Sequence, residues 1–375
     1  MYIRKRLEKL KKLLCSKGIN SYLEFEAKNI YYLTGFDAAY LLLVDKYFYL
    51  VVNSMVFEQA KNILEKNNIL DLFKIIVISS EKNIDYEYTY ETVKSFLIST
   101  KISNNIKTLY YSDKNISFSM QKILENIFIL KSSEPLVNNM RMIKDDLELK
   151  FIEFASKKTE EIAREITKFF DENDLTTLKN ISENEIAKKI DLLSIKYCGD
   201  IAFKTITAFY KNTFFPHYIP SENVFINEKE PFIFLSDFGA KYNEYCSDKT
   251  VSLFKNLENS DNCNLYKKMF SLVKLAHDEA ISIIRPGIKA KDLDILVREI
   301  FNKNEMLKYF IHSTGHGTGL DIHERPNINY LSETVLKENM VITIEPGLYI
   351  KNIGGVRIED TILITKNGYK ILTKI

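Results

Sequence analysis

The chain is poor in cysteine, with four in 375 residues, and none of them forms a Cys-x-x-Cys pair. We therefore expect reduced thiols in a cytoplasmic protein rather than a disulfide framework. Neither charge is in excess, because 52 Lys+Arg residues accompany 50 Asp+Glu residues. A balance this even provides no broad basic surface for nucleic acid or anionic lipid.

Long hydrophobic runs are missing as well, since no stretch approaches the ~18 apolar residues that span a bilayer. The N-terminus carries Ile3, Leu7, Leu10 and Leu14 at helical spacing, with charged residues between them. This pattern is typical of an amphipathic helix and not of the unbroken apolar segment of a signal peptide. A basic amphipathic helix can lie on a membrane, but we favour a surface helix packed on its own domain.

Histidine is scarce and unevenly placed, with five residues at positions 217, 277, 312, 316 and 323. The first 135 residues contain neither a histidine nor a glycine-rich phosphate loop. Three of the five histidines fall within twelve residues of each other. We therefore expect no catalytic constellation in the first part of the chain and look for one further on.

The length of the chain predicts two domains, because single cores rarely grow beyond ~250–300 residues. Up to residue 135, helical patterns alternate with strand-like runs, which predicts an α/β layer with a partly parallel sheet. The alternation breaks at Ser132–Asn139, where Ser-Ser-Glu-Pro has the composition of a turn and is interpreted as a linker. We place the first domain at 1–135 and the second at 136–375.

The second domain is predicted to mix helices with strands. Asp145 or Asp146 caps a long amphipathic helix that runs to about Phe170. Strands with glycine turns dominate the C-terminal part. Further helices are predicted at 183–197, 264–284 and 289–303.

Two aspartates lie in a hairpin-like stretch of the second domain. If the turn centres on Tyr242–Asn243, Asp237 and Asp248 face each other directly, with Cβ atoms about 4.5–5.5 Å apart. Two like charges at this distance repel each other, so a cation between them is a natural resolution. The pair alone leaves a second interpretation open, in which one aspartate is solvated near the turn and the other is unrelated.

Glycines stand on both sides of His316, where they allow unusual backbone torsions and keep bulk away from the imidazole. A phosphate loop is the rival interpretation, but the spacing matches neither of the common phosphate-loop patterns and no helical pattern follows. His312 and His323 lie in the same glycine-rich stretch. Three histidines together favour a functional site over a structural histidine.

Two more carboxylates follow near the C-terminus. An apolar strand ends in Glu345 at a Pro-Gly turn, and a carboxylate in such a position needs a partner because isolated burial is costly. Arg357 and Glu359 lie two apart on a predicted strand and so share a face, while Val356 and Ile358 share the other.

Four carboxylates and one imidazole suit hard to borderline divalent ions such as Mn²⁺, Co²⁺ or Zn²⁺. Two such ions and a bridging hydroxide nearly balance four negative charges. Ions ~3.5–4 Å apart can generate a hydroxide nucleophile and polarise a carbonyl together. The residues thus predict a two-metal hydrolytic site.

These residues resemble the metal-binding pattern of peptidase family M24, which includes Xaa-Pro dipeptidase, aminopeptidase P, methionine aminopeptidase and creatinase. The matching stretches are Asp237/Asp248, Gly-His316-Gly-x-Gly-Leu-x-x-His323-Glu-x-Pro, Ile-Glu345-Pro-Gly and Gly-Gly-x-Arg-x-Glu359-Asp. The first domain is similar to the creatinase-type N-terminal domain in Arg6-Leu-Glu-Lys-Leu and Asn29-Ile-Tyr-Tyr-Leu-Thr-Gly35-Phe. The resemblance therefore covers nearly the whole chain.

The resemblance implies an α+β protein, in which a C-terminal pita-bread catalytic domain follows an α/β creatinase-type N-terminal domain. It also implies two divalent metal ions per subunit, with Mn²⁺ expected first and Co²⁺ or Zn²⁺ as alternatives. Asp237 would bind one ion, Asp248 and Glu359 would bridge both, and His316 and Glu345 would complete the second.

The resemblance further implies catalytic roles. Glu345 would accept a proton from the attacking water, His323 would stabilise the tetrahedral oxyanion, and His217 would lie near the substrate. The segment before His217, Ala-Phe-Tyr-Lys-Asn-Thr-Phe-Phe, departs from the family's usual small, glycine-containing pattern. This departure bears on the shape of the substrate pocket and not on the metal site.

Three further residues are candidate substrate contacts, each with an alternative. Arg357 contacts substrate or forms an ion pair that orients a ligand carboxylate. His312 reaches the substrate or braces its loop, and Tyr349 hydrogen-bonds near the metals or packs. His277 lies in a predicted helix beside apolar neighbours and is interpreted as structural.

The expected activity is hydrolysis of the bond between an N-terminal residue and proline, in a cytoplasmic homodimer without nucleic-acid or membrane partners. Dipeptidase and aminopeptidase remain equally open. The alternatives are a non-peptidase hydrolase or lyase on the same fold and a non-catalytic binding protein. The complete ligand set favours the peptidase, since creatinase-type chemistry does not need it and methionine aminopeptidases generally lack the N-terminal domain.

Overall fold

A computed structural model describes residues 2–44, 47–80, 88–112, 116–174, 178, 180–222, 232–259 and 261–374. The chain divides into two compact units, Met1–Arg141 and Met142–Ile375. The sequence placed the division after residue 135, whereas in the structure the segment 136–141 still belongs to the first unit.

The first unit is an α/β layer with a seven-stranded sheet. Its strands are β1 (Ser21–Glu24), β2 (Tyr40–Val44), β3 (Tyr47–Asn53), β4 (Phe73–Ile78), β5 (Thr89–Tyr90), β6 (Thr108–Ser112) and β7 (Ile129–Ser133). Its described helices are α1 (Tyr2–Ser16), α2 (Ala27–Thr34), α3 (Phe57–Lys66), α4 (Val93–Ser103), α5 (Phe118–Glu125) and α6 (Leu136–Arg141).

The sheet of the first unit is mixed, with the strand order β5-β4-β3-β2-β1-β6-β7. The central strands β1, β2 and β3 pair antiparallel, and all outer pairs are parallel. The predicted partly parallel sheet is therefore confirmed. Leu7, Leu10 and Leu14 of α1 are buried, so this helix packs its apolar face against its own unit.

The stretch Ser132–Asn139 is not a linker. β7 ends at Ser133 and α6 begins at Leu136, so the Ser-Ser-Glu-Pro turn joins a strand directly to a helix. Pro135 accepts the first helical hydrogen bond, from Asn139 N at 2.9 Å. Proline is common where a helix begins, because its missing N–H has no partner there in any case. The turn composition was correct, and its interpretation as a domain boundary was wrong.

The second unit is built from four described α-helices and four antiparallel sheets. The helices are α7 (Asp146–Glu172), α8 (Glu183–Cys198), α9 (Cys263–Ser282) and α10 (Ala290–Lys303). The strands are β8 (Asp200–Ile201), β9 (Ile206–Phe209), β10 (Phe232–Phe238), β11 (Ala240–Tyr242), β12 (Tyr245–Cys246), β13 (Lys249–Lys255), β14 (Gly315–Gly317), β15 (Glu324–Ile328), β16 (Val341–Ile344), β17 (Gly347–Ile350), β18 (Gly354–Arg357), β19 (Asp360–Thr365) and β20 (Gly368–Ile371).

Two hydrophobic cores hold this unit together. One lies between α7, α8 and the three-stranded sheet β13-β10-β9, and the other lies between α9, α10 and the five-stranded sheet β15-β14-β16-β19-β20. Asp145 caps α7, because its side chain accepts hydrogen bonds from Leu147 N and Glu148 N. The helices predicted at 183–197, 264–284 and 289–303 are present as α8, α9 and α10. None of the described helices is long and apolar enough to cross a bilayer.

The hairpin that carries the two aspartates has a different register from the predicted one. Its turn residues are Asn243 and Glu244, whose φ angles are 47° and 71°. Asp237 therefore faces Thr250 across β10 and β13, and not Asp248. Because side chains alternate with a period of two, this shift keeps Asp248 on the same side as Asp237, and both line one cleft.

The predicted continuous strand through Arg357 and Glu359 is interrupted. β18 ends at Arg357 and β19 begins at Asp360, so Glu359 lies between two strands of different sheets. Arg357 and Glu359 still line the same cleft. The break lets the chain leave the two-stranded sheet β17-β18 and enter the five-stranded sheet.

Candidate metal centre

A cleft of about 730 Å³ in the second unit contains the candidate site. Its wall includes all five residues that the sequence predicted as metal ligands, together with three further histidines and one arginine. These side chains are His217, Asp237, Asp248, His312, His316, His323, Glu345, Arg357 and Glu359. Tyr349 is buried beside them.

Strands from two sheets carry the candidate ligands to this cleft. Asp237 is the penultimate residue of β10, and His316 is the middle residue of β14. Asp248 and Glu359 directly precede β13 and β19, and Glu345 directly follows β16. Residues from separate parts of the sequence therefore meet where strand ends converge.

The glycines beside His316 act through close packing. A Cβ atom on Gly315 would lie 2.1 Å from the Thr343 carbonyl oxygen, and one on Gly317 would lie 2.2 Å from the Arg325 carbonyl oxygen. Neither glycine has a positive φ angle, so the expected unusual torsions are absent at both. The glycines instead allow neighbouring strands to approach β14 from both sides and hold His316 between them.

The imidazole of His316 presents a lone pair to two carboxylates. Its Nδ1 lies 3.0 Å from the Gly317 carbonyl oxygen, an arrangement in which Nδ1 donates and Nε2 has no hydrogen. Nε2 lies 3.6 Å from Asp248 Oδ2 and 3.4 Å from Glu345 Oε1. Burial, helped by the neighbouring His323, lowers the pKa of His316 to about 3. The ring is therefore neutral, and its Nε2 lone pair faces two carboxyl groups.

The carboxylates of the cleft are crowded as well as buried. Burial raises the pKa of Asp248 well above its usual range, and the charges of Glu359, Asp237 and Glu345 raise it further. The pKa of Glu359 is raised in the same way, by burial first and then by Glu345. Burial raises the pKa of Glu345 to about 7. Each shift comes first from burial and then from neighbouring carboxylates, and the charge of Arg357 offsets it only in part.

This donor set fits a divalent metal ion. Asp248, His316 and Glu359 each offer one ligand atom, and these atoms all lie within 4.8 Å of one another. Asp237 Oδ1 and Asp248 Oδ1 are buried without a hydrogen-bond partner among the residues that the structure describes. Buried oxygens that lack a donor, beside an imidazole lone pair, suit a cation better than a proton.

Arg357 holds one of the candidate ligands in place. Its Nη2 donates to Asp237 Oδ2 at 2.6 Å, and its Nε donates to Thr250 Oγ1 at 2.9 Å. Thr250 in turn donates to Glu359 Oε2 at 2.6 Å. The ion-pair alternative for Arg357 thus describes its contacts in the structure. Thr250 was missed by the sequence analysis, although its place two residues after Asp248 puts it on the same face of the strand.

Tyr349 and His312 continue this network. Arg357 Nη1 donates to the Tyr349 hydroxyl at 2.9 Å, and that hydroxyl lies 3.0 Å from His312 Nε2. His312 Nδ1 lies 2.7 Å from the Ser313 carbonyl oxygen. Burial lowers the pKa of His312 to about 4, so the ring is neutral and accepts the Tyr349 hydrogen. His312 therefore braces its own loop while its ring forms part of the cleft wall.

The two remaining histidines are more accessible. His323 and His217 are both exposed in the cleft wall. The ring centroids of His323 and His316 lie 4.3 Å apart at an angle of 74°. Burial and the neighbouring His217 lower the pKa of His323. The structure thus places both imidazoles where a ligand in the cleft can reach them.

The fold and the site together define a class of protein, a metallopeptidase of the pita-bread type preceded by a creatinase-type domain. The family model "Metallopeptidase family M24" matches residues 150–366, and the model "Creatinase/Prolidase N-terminal domain" matches residues 6–143. The chain belongs to metallopeptidase family M24. The predicted family and fold class are therefore confirmed, and the family implies a peptidase that uses a divalent metal ion.

Similar proteins span the whole chain. The Xaa-Pro dipeptidase of Pyrococcus furiosus is 34% identical over 99% of this chain and 98% of that protein. The Xaa-Pro dipeptidase structure from Bacillus anthracis has a TM-score of 0.85 at 26% identity and covers 100% of this chain and 98% of that chain. The prolidase structure from Pyrococcus horikoshii has a TM-score of 0.81 at 31% identity, with coverage of 99% and 98%.

Proposed function

We propose that the protein uses two divalent metal ions to hydrolyse the peptide bond between an N-terminal residue and proline, as an Xaa-Pro dipeptidase or an Xaa-Pro aminopeptidase. The observation that carries the proposal is the convergence of Asp248, His316 and Glu359, whose ligand atoms all lie within 4.8 Å of one another, with Glu345 Oε1 3.4 Å from His316 Nε2. The similarity to Xaa-Pro dipeptidases over the full chain supports the choice of substrate class.

The ligand roles follow the family resemblance, and all five residues line the cleft. Asp248 and Glu359 would hold both ions, Asp237 would hold one, and His316 and Glu345 would complete the other. Divalent ions held there would acidify a bound water and polarise the substrate carbonyl. Arg357 holds Asp237 Oδ2 through the contact of 2.6 Å, so Oδ1 is the oxygen of Asp237 that would be available to a metal ion.

The remaining steps belong to side chains of the cleft wall. Glu345 would accept the proton of the attacking water, since its carboxylate lies in the same cleft as the other proposed ligands. His323 would donate a hydrogen bond to the developing oxyanion, and His217 would position the substrate from the same cleft wall. Both histidines are exposed to the cleft, as these contacts require.

The substrate-binding side of the cleft is proposed to consist of His312, Arg357 and Tyr349, whose hydrogen bonds to one another fix this part of the wall.

We expect Mn²⁺ as the preferred ion, with Co²⁺ and Zn²⁺ as alternatives. A cytoplasmic homodimer remains the expected assembly.

The test is hydrolysis by purified protein supplied with Mn²⁺ or Co²⁺. One series offers Xaa-Pro dipeptides, a second offers longer peptides that begin Xaa-Pro, and a third offers matched peptides with alanine in place of proline. Cleavage in the first series alone identifies a dipeptidase, and cleavage in the second identifies an aminopeptidase. Failure to cleave either proline series overturns the proposal and favours another hydrolase, a lyase or a binding protein on this fold.

A further inference from the structure

A buried ion pair lies directly behind two of the proposed metal ligands. Lys249 Nζ is 2.6 Å from Asp360 Oδ1, and the two side chains are only 5% and 8% exposed. Lys249 directly follows Asp248 in the sequence, and Asp360 directly follows Glu359. Successive residues of an extended chain point to opposite sides. Accordingly, the two ligands line the metal cleft, whereas the ion pair lines a second cavity of about 550 Å³.

The two ligand segments belong to different sheets. β13 lies in a three-stranded sheet and β19 in the five-stranded sheet, and no strand ladder joins them in the described part of the chain. The boundary between the β13 and β19 segments is called the seam below. One long backbone hydrogen bond crosses it, from Glu359 N to Thr250 O at 3.4 Å. The distance between the two proposed bridging carboxylates therefore depends on side chains that cross the seam.

Side-chain hydrogen bonds also cross on or near the metal side. Thr250 Oγ1 donates to Glu359 Oε2 at 2.6 Å. Thr361 Oγ1 donates to the Asp248 carbonyl oxygen at 2.8 Å and accepts from Asp248 N at 3.2 Å. The Lys249–Asp360 ion pair also crosses the seam, on the side that faces the second cavity. This pair is as short as the Thr250–Glu359 bond, and it adds the attraction between two opposite charges.

Asp360 is fixed in turn by two other elements. Thr373 Oγ1 donates to Asp360 Oδ1 at 2.9 Å, and His277 Nε2 of α9 lies 3.3 Å from Asp360 Oδ2. Thr373 thus fixes one oxygen of the carboxylate while the other faces α9, and Lys249 connects the Asp248 segment to this partner. His277, interpreted from the sequence as structural, is thereby linked to the seam.

We propose that the Lys249–Asp360 pair sets the spacing of Asp248 and Glu359. This spacing in turn sets the affinity for the more weakly bound of the two divalent ions. The inference rests on the proposed two-metal site. Ligands must be held within about 0.5 Å of their productive geometry. Groups that orient metal ligands typically change metal affinity by ~10–100-fold.

The experiment measures Mn²⁺ binding to the metal-stripped full chain by titration calorimetry, and the visible spectrum of the Co²⁺ form. The main variant is the double substitution Lys249→Met/Asp360→Leu, which replaces a buried ion pair with apolar residues and so leaves no unpaired charge. We expect the dissociation constant of the more weakly bound Mn²⁺ ion to rise ~10–100-fold and the visible spectrum of the Co²⁺ form to change. The urea midpoint of the metal-free double variant should stay near that of the wild type.

Three single variants keep the test decisive. Asp360→Asn retains the shape of the side chain, so it should reproduce the loss of affinity even if the double variant fails to fold. Lys249→Arg preserves the charge and should bind Mn²⁺ nearly as the wild type does. Lys274→Ala removes the ion pair with Asp278, at 2.7 Å in the same second cavity, and should leave metal binding unchanged.

Wild-type Mn²⁺ affinity and Co²⁺ spectrum in Asp360→Asn would overturn the inference, as would an equal loss of affinity in Lys274→Ala. The outcome is separate from that of the proposed function. A wild-type protein that binds two ions and cleaves no Xaa-Pro peptide would refute the substrate class and leave the positioning role to be judged by the variants. A wild-type protein that binds a single ion would refute both the two-metal site and this role.

Discussion

His316 Nε2 lies 3.6 Å from Asp248 Oδ2, and it carries no hydrogen of its own because the ring donates its Nδ1 hydrogen to the Gly317 carbonyl. This distance is too long for a direct hydrogen bond between the imidazole and the carboxyl group. Protonation of the ring is disfavoured, since burial lowers the pKa of His316 to about 3. One divalent ion would satisfy the lone pair and the carboxylate together, which makes this contact the most direct sign of a metal centre.

Replacement of Asp248 is expected to empty the site. Asp248→Ala removes a carboxylate that we assign to both ions, so metal content should fall toward zero. Activity should fall by more than the ~10–100-fold typical of groups that only orient a ligand. Elemental analysis of the purified variant checks this, with Glu258→Ala, which removes an exposed carboxylate, as the control. Full metal stoichiometry in Asp248→Ala would exclude Asp248 as a bridge.

The hydroxyl of Thr250 is expected to tune metal affinity. Thr250→Val keeps the shape of the side chain but removes the donor to Glu359 Oε2 and the acceptor for Arg357 Nε. Metal affinity should fall by ~10–100-fold, as for other groups that orient ligands. Thr250→Ser keeps the hydroxyl and should remain close to the wild type. Calorimetric Mn²⁺ titration compares the three proteins, and equal affinities for the valine and serine variants would contradict the prediction.

Thr250 also marks a limit of what the sequence can predict. All five candidate ligands could be found because each stands beside a glycine, a proline or the end of an apolar strand, and all five line the cleft. A threonine inside a strand, such as Thr250, has no neighbouring glycine or proline and does not end a strand, so nothing beside it indicates a functional role. Its importance comes from a contact of 2.6 Å with Glu359, more than one hundred residues away in the chain.

The register of the hairpin that carries Asp237 and Asp248 could not be predicted correctly from the sequence either. Placing the turn at Tyr242–Asn243 put Asp237 opposite Asp248, whereas the turn at Asn243 and Glu244 puts it opposite Thr250. The period of two residues kept both aspartates on one face in either register, so the metal prediction survived a wrong alignment. The turn itself depends on two residues with positive φ, neither of them a glycine, and such positions are hard to recognise in a sequence.

The linker at Ser132–Asn139 was misjudged for a related reason. Ser-Ser-Glu-Pro is typical both of an exposed connection and of a tight passage from a strand into a helix. Packing decides between the two, because Leu136 and Val137 of α6 are buried in the first unit. Burial of this kind follows from the three-dimensional fold and not from the local composition.

His312 is expected to make the metal-free protein sensitive to acid. Burial lowers its folded pKa to about 4, whereas an unfolded histidine titrates near ~6.5. Its contribution to stability is fully present above pH ~6.5 and is lost as the pH falls toward ~4, because unfolding then releases a ring that binds a proton. The loss should reach at most about 3 kcal/mol.

Urea unfolding of the metal-free wild type and of His312→Gln between pH 7 and pH 4 isolates this contribution. Glutamine stays neutral over the whole range and retains a donor and an acceptor for its neighbours. We therefore expect the stability of the wild type to fall more steeply than that of the variant. Parallel pH profiles would show that protonation of His312 does not differ between the folded and unfolded states.

His323 is expected to act in the transition state and not in substrate binding. His323→Ala removes the proposed donor to the oxyanion, so kcat should fall by ~10²–10³ while KM and metal content change little. Asn329→Ala is the matched control, since Asn329 lines the same cleft and has no part in the proposed chemistry. Steady-state kinetics on an Xaa-Pro substrate separate the two parameters. A raised KM with unchanged kcat would instead assign His323 to uniform binding of substrate and transition state.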